Sequence, residues 1–210
     1  KEGDILQPNQ ILCKITGNAR TVLTAERSAL NFLQLLSAVA TKTHQFVKAI
    51  EDTHTVIVDT RKTLPGLRYA QKYAVRCGGG TNHRVGLYDG ILIKENHIIA
   101  SGSIEKALNK ARMIASKSTM IEIEVETLDE MRQALHSGAT MILLDNFELD
   151  TLHKAVVLNR QYAQPAILEA SGNITLINVR SVDEAGVDRI SIGGLTKNIK
   201  AIDLSMRFLH

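Results

Sequence analysis

Residues 120–146 read MIEIEVETLDEMRQALHSGATMILLDN. Two strand-like runs, MIEIEVE at 120–126 and TMILLDN at 140–146, flank a helix-like segment at 127–137, which Gly138 closes. A strand, a helix and a strand joined by short loops make the unit from which parallel sheets are built. The unit recurs. VIVDT (56–60), GILIK (90–94), AILEAS (166–171) and RISIGG (189–194) are further strand-like runs, and 103–116, 148–161, 174–186 and 198–209 are further helix-like segments. Gly102-Ser103 and Ser171-Gly172-Asn173 supply caps, and Gly186 closes another helix. Six strand-like runs predict an α/β barrel, closed or nearly so, rather than a doubly wound sheet. No GxGxxG follows the first run, which weakens a dinucleotide-binding alternative.

Upstream of this rhythm the chain reads differently. Residues 3–23, GDILQPNQILCKITGNARTVL, predict short strands broken at Pro8-Asn9 and Gly17-Asn18. They read as the tail of a partial N-terminal domain, residues 1–23. Residues 24–50 predict one long helix with Thr24 as N-cap, apolar on nearly every face and therefore buried in a core or at a subunit interface. Residues 51–210 then form the barrel.

The 210 residues carry a net charge of +3, 44% hydrophobic and 22% charged residues, and no tryptophan. That is ordinary for a soluble globular protein and argues against a nucleic-acid platform. No apolar run reaches the roughly 18 residues that span a bilayer. Cys13 and Cys77 lack CxxC spacing, so a disulfide framework or zinc site is not expected and a reducing, cytoplasmic compartment fits.

A βα barrel places its chemistry at the C-terminal ends of its strands. There the first two runs offer cations: Arg61 and Lys62 after Asp59 and Thr60, Lys94 after GILI, and His83 and Arg84 in the long intervening loop CGGGTNHR. The third and fourth offer carboxylates, Glu124, Glu126 and Asp145. The fifth and sixth offer Ser171, Gly172, Asn173, Gly193, Gly194 and, just beyond, Lys197. Cations bind carboxylates or phosphates, arginine in bidentate fashion. Carboxylates bind ribose hydroxyls or Mg²⁺, and glycine-lined turns before helices expose N–H groups to phosphate. Singly, Arg61 or Lys62 is also compatible with a solvated loop, His83 with a structural role, and the glycines at 78–80 with a tight turn. Glu122, Glu124 and Glu126 share one strand face, and an inward Glu122 needs partners.

The stretches TAERSALNFLQLLSAVAT, DTRKTLPGLRYAQKYAVRCGGGTNHRVGLYDGILIKENH, IEIEVET, ILLDNF, LEASGN and ISIGGLT together resemble the quinolinate phosphoribosyltransferase family. The resemblance covers nearly the whole chain and implies an open or incomplete (β/α) barrel with the remnant of an N-terminal α/β sandwich domain, in a homodimer with shared active sites. It implies transfer of a phosphoribosyl group from phosphoribosyl pyrophosphate (PRPP) to quinolinate with decarboxylation, dependent on Mg²⁺, giving nicotinate mononucleotide, pyrophosphate and CO₂. It assigns Arg61, His83, Arg84 and Lys94, with Arg27 from the partner subunit, to the two quinolinate carboxylates. It further implies that Lys62 faces PRPP, that Glu124 and Asp145 hold the ribose hydroxyls and Mg²⁺, and that Ser171, Gly172 and Gly193 contact phosphate, with Lys197 where some members carry histidine. Alternatives are a nicotinate phosphoribosyltransferase, a Schiff-base aldolase-type barrel using Lys94, and a ligand-binding fragment without turnover.

Overall fold

A computed structural model describes residues 1–208. Its centre is a six-stranded, wholly parallel sheet of β1 (Val56–Val58), β2 (Gly90–Ile93), β3 (Met120–Val125), β4 (Met141–Asp145), β5 (Ile167–Ser171) and β6 (Arg189–Ser191). The strand order is β1-β6-β5-β4-β3-β2, so the first two strands form the two edges. They do not pair with each other; beyond β1 there is only a bridge from Val58 to Thr81. The sheet is therefore an open barrel.

Alternation sorts its two faces. Ile123, Ile142, Leu144, Leu168 and Ile190 point to the helices and are buried with Met131, Ala134, Leu152, Ala155 and Val179. Burying each large side chain contributes about 1.5–3 kcal/mol. The same alternation turns Glu122 and Glu124 inward on β3, and the parallel register ranks Glu169 beside Arg189 on the inner face.

The covering helices are α2 (Arg68–Cys77), α3 (Glu95–Ser101), α4 (Ile104–Ile114), α5 (Leu128–His136), α6 (Leu149–Asn159), α7 (Val179–Glu184) and α8 (Gly194–Lys197), following a long α1 (Ala19–Ala49). Ser103 and Thr127 cap α4 and α5 through side-chain oxygens that accept the Lys106 and Glu130 N–H groups. Gly138 and Gly186 follow α5 and α7 with φ of 72° and 91°, as their sequence positions predict.

Several expectations are corrected. Residues 1–18 contain no strand, and Ile5, Ile11 and Ile15 are exposed; a strand needs a partner for its backbone, and none is offered among the described residues. The long helix starts at Ala19, where Asn18 Oδ1 accepts the Thr21 N–H at 3.3 Å. Thr24 lies inside it, its hydroxyl donating back to the Arg20 carbonyl at 2.8 Å. That helix is not buried all round: only Ala38, Val39, Thr43 and Phe46 are buried, where its second half crosses α2, α7, α8 and β1. The expected helix 174–186 contracts to α7. No helix occupies 198–208, and Leu209, the last residue of that expected segment, lies outside the described residues. The stretch after β1, expected to be loop, instead forms α2, and α3 follows β2 without warning. Among the described residues, no helix is long and apolar enough to cross a membrane.

Candidate active site at the barrel mouth

The end of β1 is fixed by a buried carboxylate. Asp59 is fully buried and accepts from Lys72 Nζ on α2, from the His83 N–H at 2.8 Å and from Asn82 Nδ2 at 2.6 Å. Burial pushes the Asp59 carboxyl up and the Lys72 ammonium down, and their mutual pairing opposes both shifts. The clamp draws the loop 78–84 against β1, and so sets His83 against the inward Glu122 and Arg84 against Gly90 at the start of β2. The glycines at 78–80 permit the approach. A Cβ on Gly78 would lie 2.3 Å from the Ala40 carbonyl oxygen, and one on Gly80 would lie 2.7 Å from Thr43 Cγ2, both on α1. Their reading as a steric allowance is the one the packing supports.

His83 is 7% exposed and every polar group it has is engaged. Its N–H donates to Asp59, its carbonyl accepts from Lys72 Nζ at 2.9 Å, and its Nδ1 accepts the Arg84 N–H at 2.7 Å. Its Nε2 lies 2.8 Å from Glu122 Oε2 and 3.7 Å from Glu169 Oε1. With Nδ1 accepting from the backbone, the proton of a neutral ring sits on Nε2. Glu122 thus finds the partner its inward position demands.

The cations divide by setting. Arg61 and Arg84 are half-buried. Arg84 Nη1 donates to the Gly90 carbonyl at 2.9 Å, and burial first, then the neighbouring Arg61, pushes its guanidinium below its usual range. Lys94 sits on the rim and pairs with Glu124, which is 14% exposed. A half-exposed, ion-paired lysine is unlike one held in the apolar pocket of a Schiff-base enzyme. Arg27 lies on the exposed half of α1, away from the buried positions of that helix.

Glu124 and Asp145 stand on adjacent strands at the mouth; Asp145 Oδ2 accepts from Asn146 Nδ2 at 2.8 Å. The two carboxylates, one Glu124 oxygen being taken up by Lys94, offer the oxygen ligands that Mg²⁺ prefers. A second cluster, His83, Glu122 and Glu169, lies deeper, with donor atoms within 4.8 Å of one another. There a cation is already present: Arg189 Nε lies 3.0 Å from Glu169 Oε2, out of line for a hydrogen bond. Burial and, next, the Glu122 charge push the Glu169 carboxyl up to about 7, against the pull of His83 and Arg189.

On the remaining side, a Cβ on Gly172 (φ 107°) would fall 2.2 Å from Asn146 Oδ1. The expected helix start does not follow Asn173; α7 begins at Val179. A Cβ on Gly193 would meet Lys62 Cδ at 3.2 Å and Lys197 Cε at 3.9 Å, so the two lysine side chains converge over that glycine. Thr196 Oγ1 donates to the Lys62 carbonyl at 2.8 Å, and Lys42 Nζ ties α1 to the Gly194 and Asn198 carbonyls, each at 2.9 Å. Around the opening, Lys94, Glu124, Asp145, Ser171, Gly193, Lys62 and Arg61 therefore follow the strand order, and the pinned loop with His83 and Arg84 stands across the gap between the two edges. Sequence reasoning assigned no role to Lys72, Asn82 or Arg189. The inward parity of Arg189 on β6 was a usable signal; nothing local marks the other two.

The family model of the quinolinate phosphoribosyl transferase C-terminal domain matches residues 39–207, and that of the N-terminal domain matches residues 1–37. The chain is 46% identical over 208 residues to a probable nicotinate-nucleotide pyrophosphorylase [carboxylating] of Bacillus subtilis, covering 98% of this chain and 70% of that protein. It is 44% identical over 210 residues to a protein of the same description from Synechocystis, covering 100% and 71%. Among solved structures, NadC from Streptococcus pyogenes superposes with a TM-score of 0.93 at 42% identity, over 99% of this chain and 72% of that one. The nicotinate-nucleotide pyrophosphorylase of Francisella tularensis gives 0.85 at 51% identity, over 90% and 66%.

Proposed function

The chain belongs to the quinolinate phosphoribosyltransferase family, and we propose that its barrel mouth joins quinolinate to PRPP, releasing pyrophosphate and CO₂ and leaving nicotinate mononucleotide. What supports the substrate assignment is that Arg61 and Arg84, both half-buried, sit near enough for the charge of Arg61 to add to burial in lowering the Arg84 guanidinium. Two such guanidiniums suit a ligand with two adjacent carboxylates. Lys94 on the rim adds a third cation.

Lys62 and Lys197 converge where the phosphates would lie over Gly193, with Ser171 and Gly172 on the neighbouring strand. Glu124 and Asp145 face the ribose and would hold Mg²⁺, which when bound neutralises pyrophosphate charge. As the pyridine nitrogen attacks the anomeric carbon, positive charge develops on the ribose ring, and these two carboxylates stabilise it. The carboxylate next to the ring nitrogen leaves as CO₂, its electron pair stays on that ring carbon beside the now cationic nitrogen, and a proton from water then takes its place, so no protein acid or base is required. The residues act by position and charge. In this reading Arg27, exposed on α1 and therefore free to reach a second copy, would enter that copy's mouth in a homodimer with shared sites. The free Cys13 and Cys77 accord with a cytoplasmic location.

The test is turnover of this chain with quinolinate, PRPP and Mg²⁺, following nicotinate mononucleotide, with nicotinate replacing quinolinate as control. Product from quinolinate alone is expected. Product from nicotinate without CO₂ release would overturn the dicarboxylate assignment, and trapping of Lys94 by borohydride with a carbonyl substrate would point to Schiff-base chemistry.

A further inference from the structure

Below the mouth the barrel interior is polar where a hydrophobic filling is the usual solution. Glu122 and Glu169 are fully buried, and Glu122 Oε1, Glu169 Oε1 and the Ser191 hydroxyl have no hydrogen-bond partner among the described residues. A buried carboxylate is costly unless its pairing is used. The substrate contacts proposed above do not use these groups.

We infer that Glu122, backed by Glu169 and Arg189, is a positioning residue for the dicarboxylate pocket: it holds the His83 ring, and through that ring the backbone of Arg84. The inference rests on the assignment of Arg84 to a quinolinate carboxylate. Asp59 and Lys72 already fix the His83 backbone from its N–H and its carbonyl. What they leave free is the ring. Glu122 Oε2, 2.8 Å from Nε2, sets its rotation and keeps its proton there. Nδ1 is thereby left bare to accept the Arg84 N–H at 2.7 Å. Arg84 is thus anchored at its backbone by His83 and at its side chain by the Gly90 carbonyl, 2.9 Å from Nη1. Glu122 has a second effect, because its charge favours the guanidinium that Arg61 opposes. Glu169 stands 3.7 Å from the same Nε2 and pairs with Arg189, closing the network from below. A divalent ion on His83, Glu122 and Glu169 would have to displace the Nε2 proton and sit beside the Arg189 guanidinium, so the positioning role is the one the charges favour.

The test uses Glu122→Gln, which keeps an acceptor for the ring N–H, and Glu122→Leu, which removes it. The first readout is the His83 tautomer by ¹⁵N NMR, without substrate. The wild type and Glu122→Gln are expected to show the Nε2–H form, and Glu122→Leu to lose it. The second is calorimetric binding of quinolinate and of PRPP, each alone. Glu122→Leu is expected to weaken quinolinate roughly tenfold or more, with Glu122→Gln restoring most of the loss and PRPP nearly unchanged in both. An unchanged tautomer in a folded Glu122→Leu protein would overturn the inference. So would equal weakening of both ligands, or stoichiometric zinc uptake by the wild type with loss of the Nε2–H signal. Failure of the wild type to bind quinolinate would refute the functional assignment instead, while the tautomer comparison would still decide whether Glu122 holds His83.

Discussion

Glu169→Gln should change how the stability of the protein depends on pH, and the size of the effect follows from where Glu169 sits. Its carboxyl, fully buried beside Glu122, titrates near 7 in the folded chain against 4.5 as its ordinary value. Between those two values the folded state binds a proton that the unfolded state has released. Stability from this group is therefore fully present below about pH 4.5 and is lost as pH rises through about 7. The interval corresponds to about 3 kcal/mol. Glutamine mimics the protonated form and has no such dependence. Wild type and Glu169→Gln should thus be nearly equal in stability at about pH 4, and the variant should be the more stable by about 3 kcal/mol at about pH 8.5. Urea unfolding at a series of pH values measures this, and taking the difference between the two proteins removes the contribution of titrating groups that do not interact with Glu169. A difference that stays flat from about pH 4 to about pH 8.5 would refute the placing of Glu169 as a buried carboxyl opposed by its neighbour.

Three further outcomes are expected. Arg61→Ala should raise the KM for quinolinate by roughly thirtyfold, about 2 kcal/mol, with the KM for PRPP little affected; near-normal turnover at low quinolinate would remove Arg61 from the pocket. Asp59→Ala strands the buried Lys72 and frees the loop carrying His83, and should cost about 3–5 kcal/mol in urea unfolding, of which Asp59→Ala/Lys72→Met recovers a part; equal losses in the single and double variants would contradict the clamp. Gly172→Ala places a Cβ against Asn146 at a positive φ, so a loss of about 1–3 kcal/mol is expected, partly relieved by Asn146→Ala, and a thermal melt of the three proteins checks it.

Much of the fold can be read from local pattern. In IEIEVE the residues of odd number are apolar and those of even number acidic, so forming a strand there commits Ile121, Ile123 and Val125 to the helices and Glu122 and Glu124 to the interior. Alternation of such runs with helical segments implies parallel strands, since a connection through a helix returns the chain to the same end of the sheet. The mouth residues were legible for the same reason: the last residue of a parallel strand faces one known end of the barrel. Where pattern was weak, it misled. RYAQKYAVRC is rich in cations, and it becomes α2 because Lys72 finds Asp59 and Gln71 finds the Thr196 carbonyl, 125 positions away. The apolar middle of α1 implied burial on every side, but burial requires a second surface, and the described residues supply one only to its second half.

The sequence by itself therefore determined the strand parity, the parallel architecture and which side chains stand at the mouth, because these follow from bond geometry and from the preference of one face for water. Only the tertiary structure decided that the barrel stays open between β1 and β2, that the loop with His83 is pinned beside β1, and that His83, Glu122, Glu169 and Arg189 meet inside. Those depend on strand order and on contacts between residues far apart in the chain, and no local periodicity encodes the distance between them.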